Sequence, residues 1–138
     1  MNNTEASKFR FNGYIVKHSD FNFNGSISAN ESLNINITPS GVKEKELFTL
    51  TLDIEIKNES NSISLHMITD SQFSFEKDLE PNQLGKFFTL NAPAIVFPYI
   101  RAYISMLSSL SGVSPILLPT LNLQNIGETL ATKIIVKD

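Results

Sequence analysis

Residues 47–57 read Leu-Phe-Thr-Leu-Thr-Leu-Asp-Ile-Glu-Ile-Lys. Phe48, Leu50, Leu52, Ile54 and Ile56 take every second position, with Thr49, Thr51, Asp53, Glu55 and Lys57 between them. Neighbouring side chains of a strand point to opposite faces, so this alternation specifies a strand with one dry face and one wet face. A sheet covered on one side only is characteristic of antiparallel pairing, because parallel strands are buried on both faces.

The pattern extends in both directions. Leu33, Ile35 and Ile37 alternate with Asn34, Asn36 and Thr38, and Pro39, Ser40 and Gly41 are read as the end of that strand. Phe9, Phe11 and Ile15 mark an N-terminal strand that continues towards Phe21 and Phe23. Ile63, Leu65 and Met67 begin a fourth strand that runs to Phe75, joined to the third by the short polar turn 58–62. The expectation is four antiparallel strands in sequence order.

The period then changes. Residues 92–110 read as a helix, with Pro93 in its first turn and Ile100, Tyr103, Ile104, Leu107 and Leu110 spaced for one apolar face. Pro98 either kinks this helix or marks its true start, and Gly112 is a stop signal. Residues 124–136 read as a second helix, although Ile134, Ile135 and Val136 suit a strand equally well. The fold class is therefore α+β, a four-stranded antiparallel sheet followed by a long helix, a crossover loop and a short second helix. The 138 residues fit a single domain.

Composition narrows the function. With 41% apolar residues the chain can build a core. A net charge of -3 disfavours nucleic acid as a partner, which needs a basic patch. There are no cysteines, so disulfides, thiolate metal sites and cysteine nucleophiles are excluded. The N-terminal residues lack the basic and apolar regions of a signal peptide. The most apolar run, 92–110, is interrupted by Pro93, Pro98 and Arg101, which argues against membrane insertion. A cytoplasmic protein is the expectation.

Catalytic patterns are missing. His18 and His66 sit in strands without metal-motif spacing and read as solvated or hydrogen-bonded strand residues. The chain has no nucleophile elbow, no phosphate-binding loop and no dinucleotide fingerprint. Asp53 and Glu55 share a strand face, but with Thr49, Thr51 and Lys57 beside them it reads as ordinary solvated sheet. No enzyme, metal or cofactor is expected.

Two features stand out instead. Residues 87–127 carry a single charged side chain, Arg101. The outer face of the long helix holds Val96, Phe97, Tyr99 and Met106 where a monomer would place charges, so a second subunit is expected to cover it. Arg101 reads as one half of a buried or interfacial ion pair. The loop 113–123 holds Ile116, Leu117, Leu118, Leu121 and Leu123 between prolines. Either it closes the sheet's dry face, or it walls an apolar groove for extended polypeptides.

The run Asn91-Ala-Pro-Ala-Ile-Val-Phe-Pro-Tyr-Ile-Arg101 resembles the signature that opens the first helix of the SecB export chaperones. Leu118-Pro-Thr-Leu-Asn-Leu123 is similar to that family's crossover loop. The resemblance covers nearly the whole chain. It implies a homotetramer, a dimer of dimers, with long helices between two sheets and Phe97, Tyr99, Arg101, Tyr103 and Met106 at the oligomer interface. It implies a holdase without nucleotide or cofactor, which binds unfolded clients and passes export precursors to the SecA motor. The client groove maps onto Leu33, Ile35, Ile37, Leu118, Leu121, Leu123, Ile126 and Leu130.

The departures concern the handover. Asp20 matches one carboxylate that the family presents to SecA, but Asn24 and Met67 stand where further acids occur, and the C-terminus is short. SecA docking is weakened by this, whereas client holding is not. Two alternatives remain: a dedicated SecB-like protein that stabilises one partner, such as an antitoxin, and a carrier of a small apolar ligand.

Overall fold

The structure, a computed structural model, describes residues 8–24, 31–119 and 121–137. Residues 1–7, where a signal peptide was sought, lie outside this set, as do Thr120 of the crossover loop and the terminal Asp138.

The alternating stretch becomes β3 (Leu47–Asn58), paired antiparallel with β4 (Ile63–Phe75) on one side and β2 (Leu33–Glu44) on the other. On β3, Phe48, Leu50, Leu52, Ile54 and Ile56 are all fully buried. Phe73, Met67 and Leu65 of β4 stand directly opposite Phe48, Ile54 and Ile56, so the dry face is continuous across the hairpin. Asn58 closes this hairpin. Its side-chain amide donates to Ser62 Oγ at 2.8 Å and its carbonyl accepts the Ile63 N–H at 3.0 Å, which satisfies polar groups that would otherwise be buried unpaired.

β1 (Phe9–Phe23) corrects the expected strand order. It pairs antiparallel with β4 rather than β2, and the sheet runs β1-β4-β3-β2 with a short fifth strand beyond β2. Aromatic packing accounts for this placement. Phe9 lies opposite Phe75, stacks on Phe73 at 4.9 Å and on Phe87 at 4.8 Å, and Phe11 lies opposite Phe73. Two register shifts, at Phe11/Gly13 and Val16/His18, break the alternation of β1; Gly13, with φ of 117°, takes the backbone conformation that the first requires.

β2 also departs from expectation. It does not end at Pro39 but continues to Glu44, and Lys45 makes the turn with φ of 56°. Proline is tolerated there because its missing N–H falls on the free side of the strand.

The helical part starts earlier than the sequence reading placed it. α1 (Pro81–Lys86) runs through a π-turn (Phe87–Asn91) into α2 (Ala92–Leu110) without a break. Pro81 sits in the first turn, and the Glu80 N–H donates to the Gln83 side chain at 3.4 Å. Pro93 therefore lies mid-helix, where it has no N–H for the Thr89 carbonyl and its ring crowds that carbonyl. The wider turn relieves this, with the Ala92 N–H donating to the Phe87 carbonyl five residues back. α2 ends at Ser111, followed by Gly112 with φ of 93°.

α3 (Leu123–Ala131) is capped by Asn122, whose side chain accepts from the Gln124 and Asn125 N–H groups. It is shorter than the expected helix over 124–136. Residues 134–136 form β5 (Ile134–Val136), parallel to β2, which resolves the open alternative in favour of a strand. α3 packs on β2 and on the π-turn. A β-carbon at Gly127 would collide with the Thr89 carbonyl, so only glycine permits this approach.

Candidate functional site

The dry face of the sheet is sealed by α2 and the crossover loop over β1, β4 and β3. Val96, Phe97, Ile100 and Ile104 of α2 are buried in that core. The loop is tied to the helix by Ser108, whose hydroxyl accepts the Ile116 N–H at 2.8 Å while donating to the Ile104 carbonyl. Ile116 and Leu118 are buried by this bond and the packing around it, whereas Leu117 is 70% exposed. The loop thus does what the simpler reading of its aliphatics required, since part of it closes the core.

β2 differs from its neighbours. Leu33, Ile35 and Ile37 face the dry side, opposite Asn58, Ile56 and Ile54, yet they are only half-buried. Asn34, Asn36 and Thr38 on the other face are exposed. The register of this strand is therefore the one that turns its apolar set towards the core.

The backbone of β2 adds a second property. The Gly41 N–H donates to the Lys133 carbonyl at 3.1 Å, and the Lys43 carbonyl accepts the Lys137 N–H at 2.8 Å. Odd-numbered residues of β2 thus turn their main-chain groups to the outer edge, and strand alternation extends this to Leu33, Ile35 and Ile37. β5 covers residues 41–43 alone. Among the described residues no strand pairs with the edge over 33–40. The same three residues present half-buried side chains to the core side and backbone donors and acceptors to the edge.

The other residues read as groove-lining come from the end of the crossover loop and from α3, which packs on β2. Leu121 and Leu123 are half-buried against the core, whereas Ile126 and Leu130 are buried within it. Leu130 therefore offers no surface of its own. Ile134, which the sequence reading did not assign, is half-buried beside Gly41. The apolar run Ile134-Ile-Val136 was visible in the sequence, but only the strand pairing shows where Ile134 falls.

The long helix divides the residues assigned to an oligomer interface. Phe97 is turned into the protomer's own core, at 3% exposure, and has no surface for a second subunit. Tyr99 stacks near Phe11 and Tyr14, both at 5.5 Å, and remains partly exposed. Tyr103 donates its hydroxyl hydrogen to Ser19 Oγ at 2.9 Å. Met106 and Leu110 are well exposed, and Arg101 is exposed with no ion pair among the described residues.

On the wet face, Asp20 stands opposite His66 and accepts from the Asn22 amide at 2.9 Å. His66 Nε2 lies 2.8 Å from Asp53 Oδ1, and Lys17 pairs with Asp70 at 3.1 Å. Met67 is fully buried on the dry face, so the position compared with a family acid does not reach this surface. Asn24 is exposed, and its N–H donates to the Ser62 carbonyl at 2.8 Å. Among the described residues no group of three or more His, Asp or Glu side chains is gathered for a metal, and no helix is long and apolar enough to cross a membrane.

Comparisons with known proteins match this geometry. A SecB-like chaperone of Mycobacterium tuberculosis, solved with a ChAD peptide from the HigA1 antitoxin, superposes with a TM-score of 0.71 at 13% identity. That match covers 84% of this chain and 91% of the other. A protein of unknown function from Streptococcus agalactiae superposes with a TM-score of 0.52 at 7% identity, covering 81% and 97%. An uncharacterized protein of Methanocaldococcus jannaschii is 27% identical, over 82% of this chain and 78% of its own length. The family described as preprotein translocase subunit SecB matches residues 16–130, from the middle of β1 to the end of α3, and the chain belongs to the SecB family.

Proposed function

We propose that this protein is a nucleotide-independent chaperone that holds unfolded polypeptide along the outer edge of β2. The observation that carries the reading is the coincidence on Leu33, Ile35 and Ile37 of half-buried apolar side chains with main-chain groups aimed at an unpaired edge. An extended segment laid there gains backbone hydrogen bonds that are blind to sequence. Every second side chain of that segment would face the half-buried Leu33, Ile35 and Ile37, with the partly buried Leu121 and Leu123 as further apolar surface. Fully burying one large aliphatic stabilises by ~1.5–3 kcal/mol, so a few partial burials hold a client without a defined motif. Residues 33–38 span roughly 20 Å at the rise of a strand.

Membership of the SecB family supports the chaperone class. The exposed stripe of Tyr99, Met106 and Leu110 on α2 supports assembly, and a homotetramer built through this helix, with Arg101 at the contact, is part of the reading. Export through SecA has weaker support, because Asp20 is the one expected acid that reaches the wet face. A cytoplasmic location accords with the same role.

The mycobacterial chaperone with its antitoxin peptide favours a second reading, in which one dedicated partner occupies the same edge. A carrier of a small apolar ligand has less support. A surface cleft of ≈ 360 Å³ beside β2 is lined by Ser32, Asn34, Lys57, Asn58, Glu59 and Asn61, with Leu33 its one apolar residue. Amide hydrogen exchange in the presence of a reduced, unfolded client tests the site. Slowed exchange at Leu33, Ile35 and Ile37 is expected; protection confined to the wet face would overturn it.

A further inference from the structure

The edge of β2 is not equally open along its length. On the side away from β3, residues 33–40 have no neighbour among the described strands, whereas residues 41–43 are taken by β5. β5 is the one parallel strand of the sheet, and it is three residues long. Ile135 and Val136 are 58% and 61% exposed, so two of its three side chains lose little contact when it leaves. Ile134 and Val136 share the dry side, but only Ile134 is half-buried there, where its Cγ1 would lie 3.4 Å from a β-carbon at Gly41. The β5 sequence Lys133-Ile-Ile-Val-Lys137 is thus an apolar segment laid on the β2 edge, with alternate residues on opposite faces. It makes, at residues 41–43, the same kind of edge contact that the proposed function assigns to a client at residues 33–38.

We infer that β5 is an internal competitor for the client edge, a displaceable strap that closes the edge at Gly41 and yields to client segments too long for residues 33–40. This rests on the proposed function and adds its regulation. Pro39 fits the same division. It interrupts the row of outward N–H donors between the open part and the part that β5 occupies, so the two parts bind separately. A short segment fills the open part without disturbing β5. A longer one, continuing past Pro39, gains Gly41 and Lys43 only by replacing Ile134 and its neighbours. The strap therefore sets a length threshold on binding rather than a sequence preference.

The test compares two fluorescent peptides of alternating valine and threonine, one long enough to cover residues 33–38 and one twice that length, measured by anisotropy on the full chain. Ile135→Pro removes an N–H from β5 and blocks its pairing, with β1 to β4 untouched. A second variant, Val42→Cys with Ile135→Cys, joins neighbours in the strand register, and the chain has no other cysteine to confuse the bond. The expected result is roughly tenfold tighter binding of the long peptide to Ile135→Pro and roughly tenfold weaker binding to the oxidised double variant, reversed by reduction. The short peptide should bind all forms equally. Equal affinity of the long peptide for all forms, with the short peptide still bound, would overturn the strap and leave the groove standing. Failure of the unmodified protein to bind either peptide would overturn both.

Discussion

Ile56 and Ile35 are the same residue, on the same face, in the same alternating context, and they stand directly opposite each other across β3 and β2. Ile56 is fully buried and Ile35 is half-buried. The difference is one of position in the sheet. β3 has a strand on either side and helix and loop above, whereas β2 has an open edge over residues 33–40. An identical pattern therefore makes core in one strand and a half-exposed edge in the next. Periodicity tells which face a side chain takes, but not how much of it a neighbour covers.

The contrast is sharpest in stability. Ile54→Ala on β3 should destabilise the fold by ~2–5 kcal/mol, from lost burial and the cavity left behind. Urea unfolding followed by circular dichroism measures it, and a cost no larger than that of Ile37→Ala, its partner on β2, would break the comparison. Gly127→Ala tests the wall of the groove. The added methyl meets the Thr89 carbonyl, so α3 must shift, at a cost of about 1–3 kcal/mol in the same experiment. Loss of the α3 cap in Asn122→Ala should cost about 1 kcal/mol. On the wet face the comparison predicts almost nothing. Lys17→Ala removes a partly exposed pair with Asp70 and should change stability by ~0–1 kcal/mol, less at high salt.

The strands were legible because period two is imposed by the backbone itself, and β3 reproduced its reading residue by residue. Strand order was not legible. Phe9 and Phe11 match β4 through ring stacking that no local pattern encodes, and the register shifts of β1 hide its alternation. The start of the helix was missed because Pro93 looks like a first-turn proline, while the real start signal, Pro81 with Gln83, lies eleven residues upstream of the apolar run. Of the groove residues, Leu33, Ile35 and Ile37 were found from alternation, with the role itself carried by family resemblance. Leu130 was carried over from the family resemblance, which does not show that the side chain is fully buried here. Phe97 was placed on the outer face of α2, but with Pro93, Val96, Ile100 and Ile104 it forms the buried stripe at ordinary helical spacing.

The central claim is that the β2 edge holds unfolded chains, and Ile35→Asp tests it most directly. A charge at a half-buried edge position should leave the fold and the oligomer in place, as judged by circular dichroism and light scattering, because the core beneath belongs to β3. Suppression of aggregation of several unrelated unfolded proteins, without nucleotide and at stoichiometric concentration, is then compared with the unmodified protein. The account predicts that the unmodified protein protects all of them and that Ile35→Asp needs roughly tenfold more chaperone for the same protection. Undiminished protection by a folded Ile35→Asp variant would contradict it.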